Sequence, residues 1–195
     1  MEAVEQDVVN ARADLVRRVG EPASRESKEL WFTLAHLNWR SAVLVPADEG
    51  GSAATAATSL AAVGKELHEY PVTLFIMGDH PLDCSSAVQV ITSGNTRQQV
   101  EGSGSVLGTL DYASAVQMVA AVASNKQNAS GDLGPTGKVI AAIPPVITEP
   151  LGLAITQAAD SVVLCIEIGR TRMSAARRTI DLVGRARIAG CVVIR

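Results

Sequence analysis

Five short apolar runs recur along the chain: Ala42 to Val45, Val72 to Ile76, Lys138 to Ile143, Ser161 to Ile168 and Gly190 to Ile194. They are separated by segments with helical spacing or by clusters of turn residues. Strands that read as continuous apolar runs are those buried on both faces of a sheet. Alternating with helices, they imply a mostly parallel central sheet with helices on both faces, an α/β fold. Right-handed crossovers limit its topology. In such sheets ligands bind outside the carboxyl ends of the strands. The loops after Val45, Ile76 and Ile143 are therefore expected along one edge, and candidate chemistry is sought there.

The intervening segments supply the helices. Val4, Val8, Ala11, Leu15 and Val19 predict a first helix over Glu2 to Val19, closed by Gly20 and Pro22. A second is expected from Ser24 to about Asn38, with Leu30, Leu34 and Leu37 on one face and with Trp31 and Trp39 pinning it to the sheet. Ser52 to Leu67 is alanine-rich and reads as a helix that lies close to the sheet. Val88 to Thr92 is a short strand candidate, whereas the glycine-rich run Gly102 to Gly108 reads as a loop. Further helices are expected at Asp111 to Ala123, Glu149 to Ala158 and Arg170 to Arg187, the last with Ala175, Ile180, Leu182 and Val183 facing inward.

With 195 residues, the chain is expected to form one domain, residues 1–195, in which helices within 2–38 precede the core. Apolar residues make up 47% and aromatic ones 3%, so the core must be aliphatic. A net charge of −3 without a basic block gives nucleic-acid binding little support. Cys84, Cys165 and Cys191 lack metal or disulfide spacing, and the last two sit in apolar runs as expected buried thiols. His36, His68 and His80 are scattered, so no metal site is expected. No apolar run approaches the roughly 20 residues of a membrane span, and the acidic amphipathic start does not read as a signal peptide. A cytoplasmic location without direct membrane insertion is expected.

The most informative loop follows the first strand. Val45-Pro46-Ala47-Asp48-Glu49-Gly50-Gly51-Ser52-Ala53 has the strand, glycine turn and helix start of a phosphate-binding loop. The pattern G-x-x-x-x-G-K-[ST] wants lysine where this chain has Gly51. Asp48 and Glu49 stand beside the loop as uncompensated negative charges. Three readings are open: a loop that only caps a helix, weak anion binding by backbone amides, or a working nucleotide site.

Further blocks complete a pattern. Ile143-Pro144-Pro145-Val146 is followed by the run Ala158 to Ile166 and then by Gly169-Arg170-Thr171. From about Ser27 to Ile194 the chain resembles the cytoplasmic kinase domain of bacterial tyrosine kinases (BY-kinases), deviant P-loop ATPases of capsule and exopolysaccharide export. The resemblance implies a P-loop NTPase-like fold. It also implies that Asp48, Glu49, Gly50, Gly51, Ser52 and Ala53 form a degenerate nucleotide loop. In the family's two acidic motifs, aspartates expected to act on magnesium align with Met77 and Ala142, and only Asp79 survives. The family's ring-forming E-x-x-R-x-x-R stretch corresponds to Glu29, Phe32 and Ala35, which implies either lost assembly or a more apolar oligomer contact through Trp31 and Phe32.

Phosphoryl transfer depends almost wholly on positioning and electrostatics. Losing the lysine and both aspartates together implies no catalytic residues and no cofactor beyond weak binding of ATP and magnesium. The expected function is that of a non-catalytic regulatory or interaction partner in bacterial polysaccharide synthesis. The expected partner is a membrane polysaccharide copolymerase or a catalytic relative, which would recruit the chain to the inner membrane. Two alternatives stay open: an atypical ATPase or tyrosine kinase whose lysine comes from elsewhere, such as Lys65 or Lys138, and a degenerate partition-type ATPase serving as a localisation factor.

Overall fold

The structure, a computed structural model, describes residues 24–67, 72–77, 86–92, 106–111, 116–117, 119–121 and 137–194. The predicted helix Glu2 to Val19 lies outside the described residues, as do Cys84, His68, His80, Asp79 and most of the loop from 125 to 137.

Helix α1 is Arg25–Ala35, capped by Ser24, whose hydroxyl accepts the Ser27 N–H at 3.2 Å. Strand β1 is Ser41–Pro46, α2 Ala54–Leu67, β2 Val72–Met77, β3 Ser86–Thr92, β4 Val106–Asp111, β5 Lys138–Ala142, α3 Gly152–Ala158, β6 Ser161–Glu167, α4 Met173–Val183 and β7 Ile188–Ile194. The seven strands form one sheet in the order β4-β3-β2-β5-β1-β6-β7. The five strands from β2 to β7 are parallel; β3 and β4 continue the sheet antiparallel.

Alternation along each strand sends side chains to two opposed cores. Ala42, Leu44, Leu74, Ile76, Ile140 and Val163 face α1 and α2. Val43, Val45, Phe75, Val139, Ala141 and Ile143 face the helical residues around Val119, with α3 and α4. Every residue of β1 is buried, as its continuous apolar run requires. Trp31 and Trp39 meet edge to face, with centroids 5.2 Å apart, inside the first core. Gly64 of α2 lies against Trp31: a Cβ there would stand 2.7 Å from a Trp31 ring carbon and 2.4 Å from Val72. Only glycine permits that approach.

Several expectations are corrected. Residues 106–108 of the glycine-rich run belong to an edge strand rather than a loop, and Asp111 ends that strand rather than opening a helix. Helix α1 stops at Ala35, so Leu37 leaves the apolar face and is exposed. Helix α4 is shorter than the interval Arg170 to Arg187, and Leu182 points outward. Cys165 is buried, but Cys191 is exposed on the edge strand β7. Trp31 is only 8% exposed, which removes it from the proposed oligomer contact, while Glu29, Phe32 and Ala35 remain at the surface.

The topology places one crevice. From β1 the chain passes through α2 to β2, on one side; from β6 it passes through α4 to β7, on the other. The carboxyl ends of the adjacent strands β1 and β6 are therefore the switch point, where ligands of such sheets bind.

Candidate functional site: a crevice closed by an ion pair

The loop leaving β1 and the turn leaving β6 line a cleft of about 230 Å³, formed by Asp48, Gly50 and Gly51 on one side and Glu167, Arg170, Thr171 and Arg172 on the other. It is smaller than the roughly 300–1,000 Å³ of ordinary small-molecule pockets.

On the β1 side, Ala47 extends the ladder by donating to the Cys165 carbonyl at 2.8 Å. A tight turn follows, with the Gly51 N–H on the Asp48 carbonyl at 3.1 Å. A Cβ at Gly51 would lie 3.2 Å from the Pro46 Cβ, so the turn folds back on the end of its own strand. Ser52 accepts the Ala54 N–H at 3.2 Å and Ala53 accepts that of Ala57, which together start α2. On the β6 side, Gly169 turns the chain with φ +79°. Thr171 then folds back, its hydroxyl accepting the Glu167 N–H at 2.8 Å. Arg170 pairs with the Glu167 carboxylate at 2.8 Å.

Arg172 joins the two sides. Its main-chain N–H donates to Asp48 Oδ2 at 2.7 Å, its Nε to Oδ2 at 3.2 Å and its Nη2 to Oδ1 at 3.0 Å; Nη2 also reaches Glu49 at 3.3 Å. The Glu49 N–H supplies Asp48 with a fourth donor, at 2.7 Å. The Arg172 side chain, and then its main-chain N–H, hold the Asp48 carboxyl well below the usual carboxylate range. The same contact raises the guanidinium pKa further. Asp48 and Glu49 are thus compensated, contrary to the expectation from sequence. Arg172 escaped the sequence reading because its partner is 124 residues away; the available signal was an arginine next to Gly169-Arg170-Thr171 at a helix start, facing two acids with no cation of their own.

The other sequence-derived positions fall as follows. Ala142 ends β5 between Leu44 and Ile76, and Met77 ends β2 in the neighbouring layer. Both are 2% exposed and packed among apolar side chains. The sheet thus brings Ala142 and the β1 loop to the same edge. Lys65 lies in the last turn of α2, about 16 Å along the helix from its start near the loop. Lys138 begins β5 at the opposite end of the sheet, where it donates to the Trp39 carbonyl at 2.8 Å and sits 4.2 Å above the Trp39 ring. Neither lysine reaches the crevice. Asp160, part of the second resembling block, also lies at that far end. It accepts the N–H groups of Arg40 and Ser41 at 2.9 and 3.0 Å and clamps β1 to β6. No cluster of metal-ligating side chains occurs among the described residues.

No family model matches the chain, and no curated protein matches it. Solved structures do. A chain in the wild-type Clp1p–Pcf11p complex superposes with a TM-score of 0.54 at 9% identity, covering 88% of this chain. A second Clp1p–Pcf11p structure, which concerns an extended interface and the loss of ATP in a glycine-to-arginine mutant, gives 0.53 at 9% identity and 88% coverage. This chain spans about half the length of those chains, 48% and 49%. The fold is P-loop NTPase-like.

Proposed function

We propose that the chain is a non-catalytic P-loop-fold protein whose crevice is a structural joint and whose activity is binding another protein. The observation that carries this reading is the Asp48–Arg172 pair. It draws the β1 loop onto the start of α4 and presents a carboxylate where a phosphate would need cations. The residues present do not fit a magnesium nucleotide: Gly51 folds against Pro46, while Met77 and Ala142 are buried apolar side chains. The resemblance to BY-kinases supplies the context, a bacterial polysaccharide export system in which the partner is a membrane copolymerase or a catalytic relative. The structural neighbours come from a protein–protein complex, which supports partner binding as a use of this fold. Isothermal titration with Mg-ATP, combined with a phosphate-release assay, tests the reading. Heats at the level of the buffer control and no release are expected; micromolar affinity with turnover would overturn it.

A further inference from the structure

Charge is distributed unevenly along this acidic chain. Between Arg170 and Arg195 stand seven arginines and one acid, Asp181, whereas the rest of the chain carries 19 acids against ten basic residues. The fold consumes part of this excess. Arg170 and Arg172 pair with Glu167 and Asp48, and Arg187 donates to the Thr156 carbonyl at 3.0 Å. The guanidinium groups of Arg177, Arg178 and Arg185 are exposed and make no hydrogen bond or ion pair among the described residues. Ala175, Ala176, Thr179 and Val183 are the buried side of α4, which puts Arg177 and Arg178 on the solvent side. Met173, 71% exposed, and Leu182, 40% exposed, border that face.

The chemistry of these residues selects a partner class. A guanidinium presents a planar fork that matches a carboxylate with two parallel hydrogen bonds, and it is more weakly hydrated than an ammonium. Arginine and methionine are enriched in protein interfaces, where lysine is depleted. A helix that lies in a lipid surface gathers its apolar residues into one band beneath a basic face. Here the order is reversed, with Arg177, Arg178 and the single acid Asp181 in the middle and apolar side chains at the two borders. Single-stranded nucleic acid is bound with aromatic stacking platforms, which this face lacks.

We propose that the exposed face of α4, together with Arg185 in the turn that follows it, is a docking surface for an acidic polypeptide segment with apolar side chains among its carboxylates. The proposal rests on the reading of the chain as an interaction protein and names the chemistry of its partner. The test uses the full chain and a fluorescein-labelled peptide of glutamate and leucine. Competitors are a glutamate–serine peptide of equal charge, vesicles of 30% phosphatidylserine in phosphatidylcholine, and poly(U). Two variants are compared by fluorescence anisotropy, with circular dichroism confirming that each is folded: Arg177→Glu/Arg178→Glu/Arg185→Glu, and a charge-matched control, Arg25→Glu/Lys28→Glu/Lys65→Glu. Saturable binding of the glutamate–leucine peptide that weakens with salt is expected. The α4 variant should lose roughly ten- to a hundred-fold in affinity and the control under about three-fold. No binding by the unaltered chain, equal loss in both variants, or tighter binding of vesicles or poly(U) through the same arginines would each overturn the assignment. Peptide binding by a chain that also hydrolyses ATP would refute the non-catalytic reading alone.

Discussion

Gly51→Lys restores the most conspicuous missing charge of the loop, and the structure sets how little it should achieve. In a nucleotide site the lysine supplies charged hydrogen bonds worth about 1.5–3 kcal/mol. Free of other effects, that is roughly a ten- to 150-fold gain in affinity. Here the new Cβ would sit 3.2 Å from the Pro46 Cβ and 3.4 Å from the Asp48 carbonyl oxygen. Such crowding costs on the order of 1 kcal/mol. The ammonium would also be held by the carboxylates of Asp48 and Glu49 before any phosphate arrived. The net gain should stay below about 2 kcal/mol, or roughly thirty-fold. Turnover should remain absent, because the magnesium-directed positions are Met77 and Ala142, both buried among apolar neighbours. Adding Met77→Asp and Ala142→Asp places two carboxylates there, at a cost of several kcal/mol each. A domain with about 5–15 kcal/mol of total stability should then melt many degrees lower. The assays are titration calorimetry with Mg-ATP, phosphate release and thermal melting with and without magnesium. Turnover by Gly51→Lys alone, or a triple variant that melts like the parent without magnesium, would refute the reasoning.

Other perturbations follow from individual contacts. Because the Arg172 hydrogen bonds depress the folded pKa of Asp48, their contribution is complete above the unfolded value of about 3.9 and is lost as pH falls toward the native one. Asp48→Asn should therefore lower the urea midpoint at pH 7, with the gap to the parent narrowing below about pH 4; a gap constant from pH 7 to pH 3 would contradict the pairing. Burial pushes the Cys165 thiol up to about 12, so iodoacetamide at pH 8 should label Cys191 in the native protein and Cys165 only after denaturation, as mass spectrometry would show. Gly64→Ala gains about 1 kcal/mol of helix propensity but drives a methyl against Val72 and Trp31. Net destabilisation of about 1–2 kcal/mol in urea melts is expected, and a stabilised variant would disprove the packing. Asp160→Ala leaves the Arg40 and Ser41 N–H groups without their acceptor, with an expected loss of about 2–3 kcal/mol by the same measurement.

What could be read from the sequence depended on how local the cause was. Strands β1, β2, β5 and β6 announce themselves because burial on both faces demands uninterrupted apolar residues, and the parallel sheet and its functional edge follow from them. The edge strand β4 carries Gly108 and Thr109 and resembles a loop, since its pairing with β3 rather than its composition makes it a strand. Leu37 continues a helical period past the point where the chain turns away, and Leu182 stands at the margin of the buried stripe that Ala175, Thr179 and Val183 mark on α4. Of the candidate site, the loop and the apolar Ala142 and Met77 were legible as residue types at strand ends. The ion pair that closes the crevice was not, because Arg172 and Asp48 become neighbours only through the adjacency of β1 and β6.

That adjacency has a consequence for synthesis. The two hydrogen-bonding neighbours of β1 are β5 and β6, which the ribosome delivers about 100 and 120 residues later. At about 5–20 residues per second the first of them emerges some 5–20 s after β1. For that interval Val43, Leu44 and Val45 have neither ladder partner, and the nascent chain carries unpaired a strand whose every residue is buried in the finished fold. Hold-and-release chaperones are suited to such a delay, and slowing translation between β2 and β5 should lengthen chaperone occupancy without altering the finished fold.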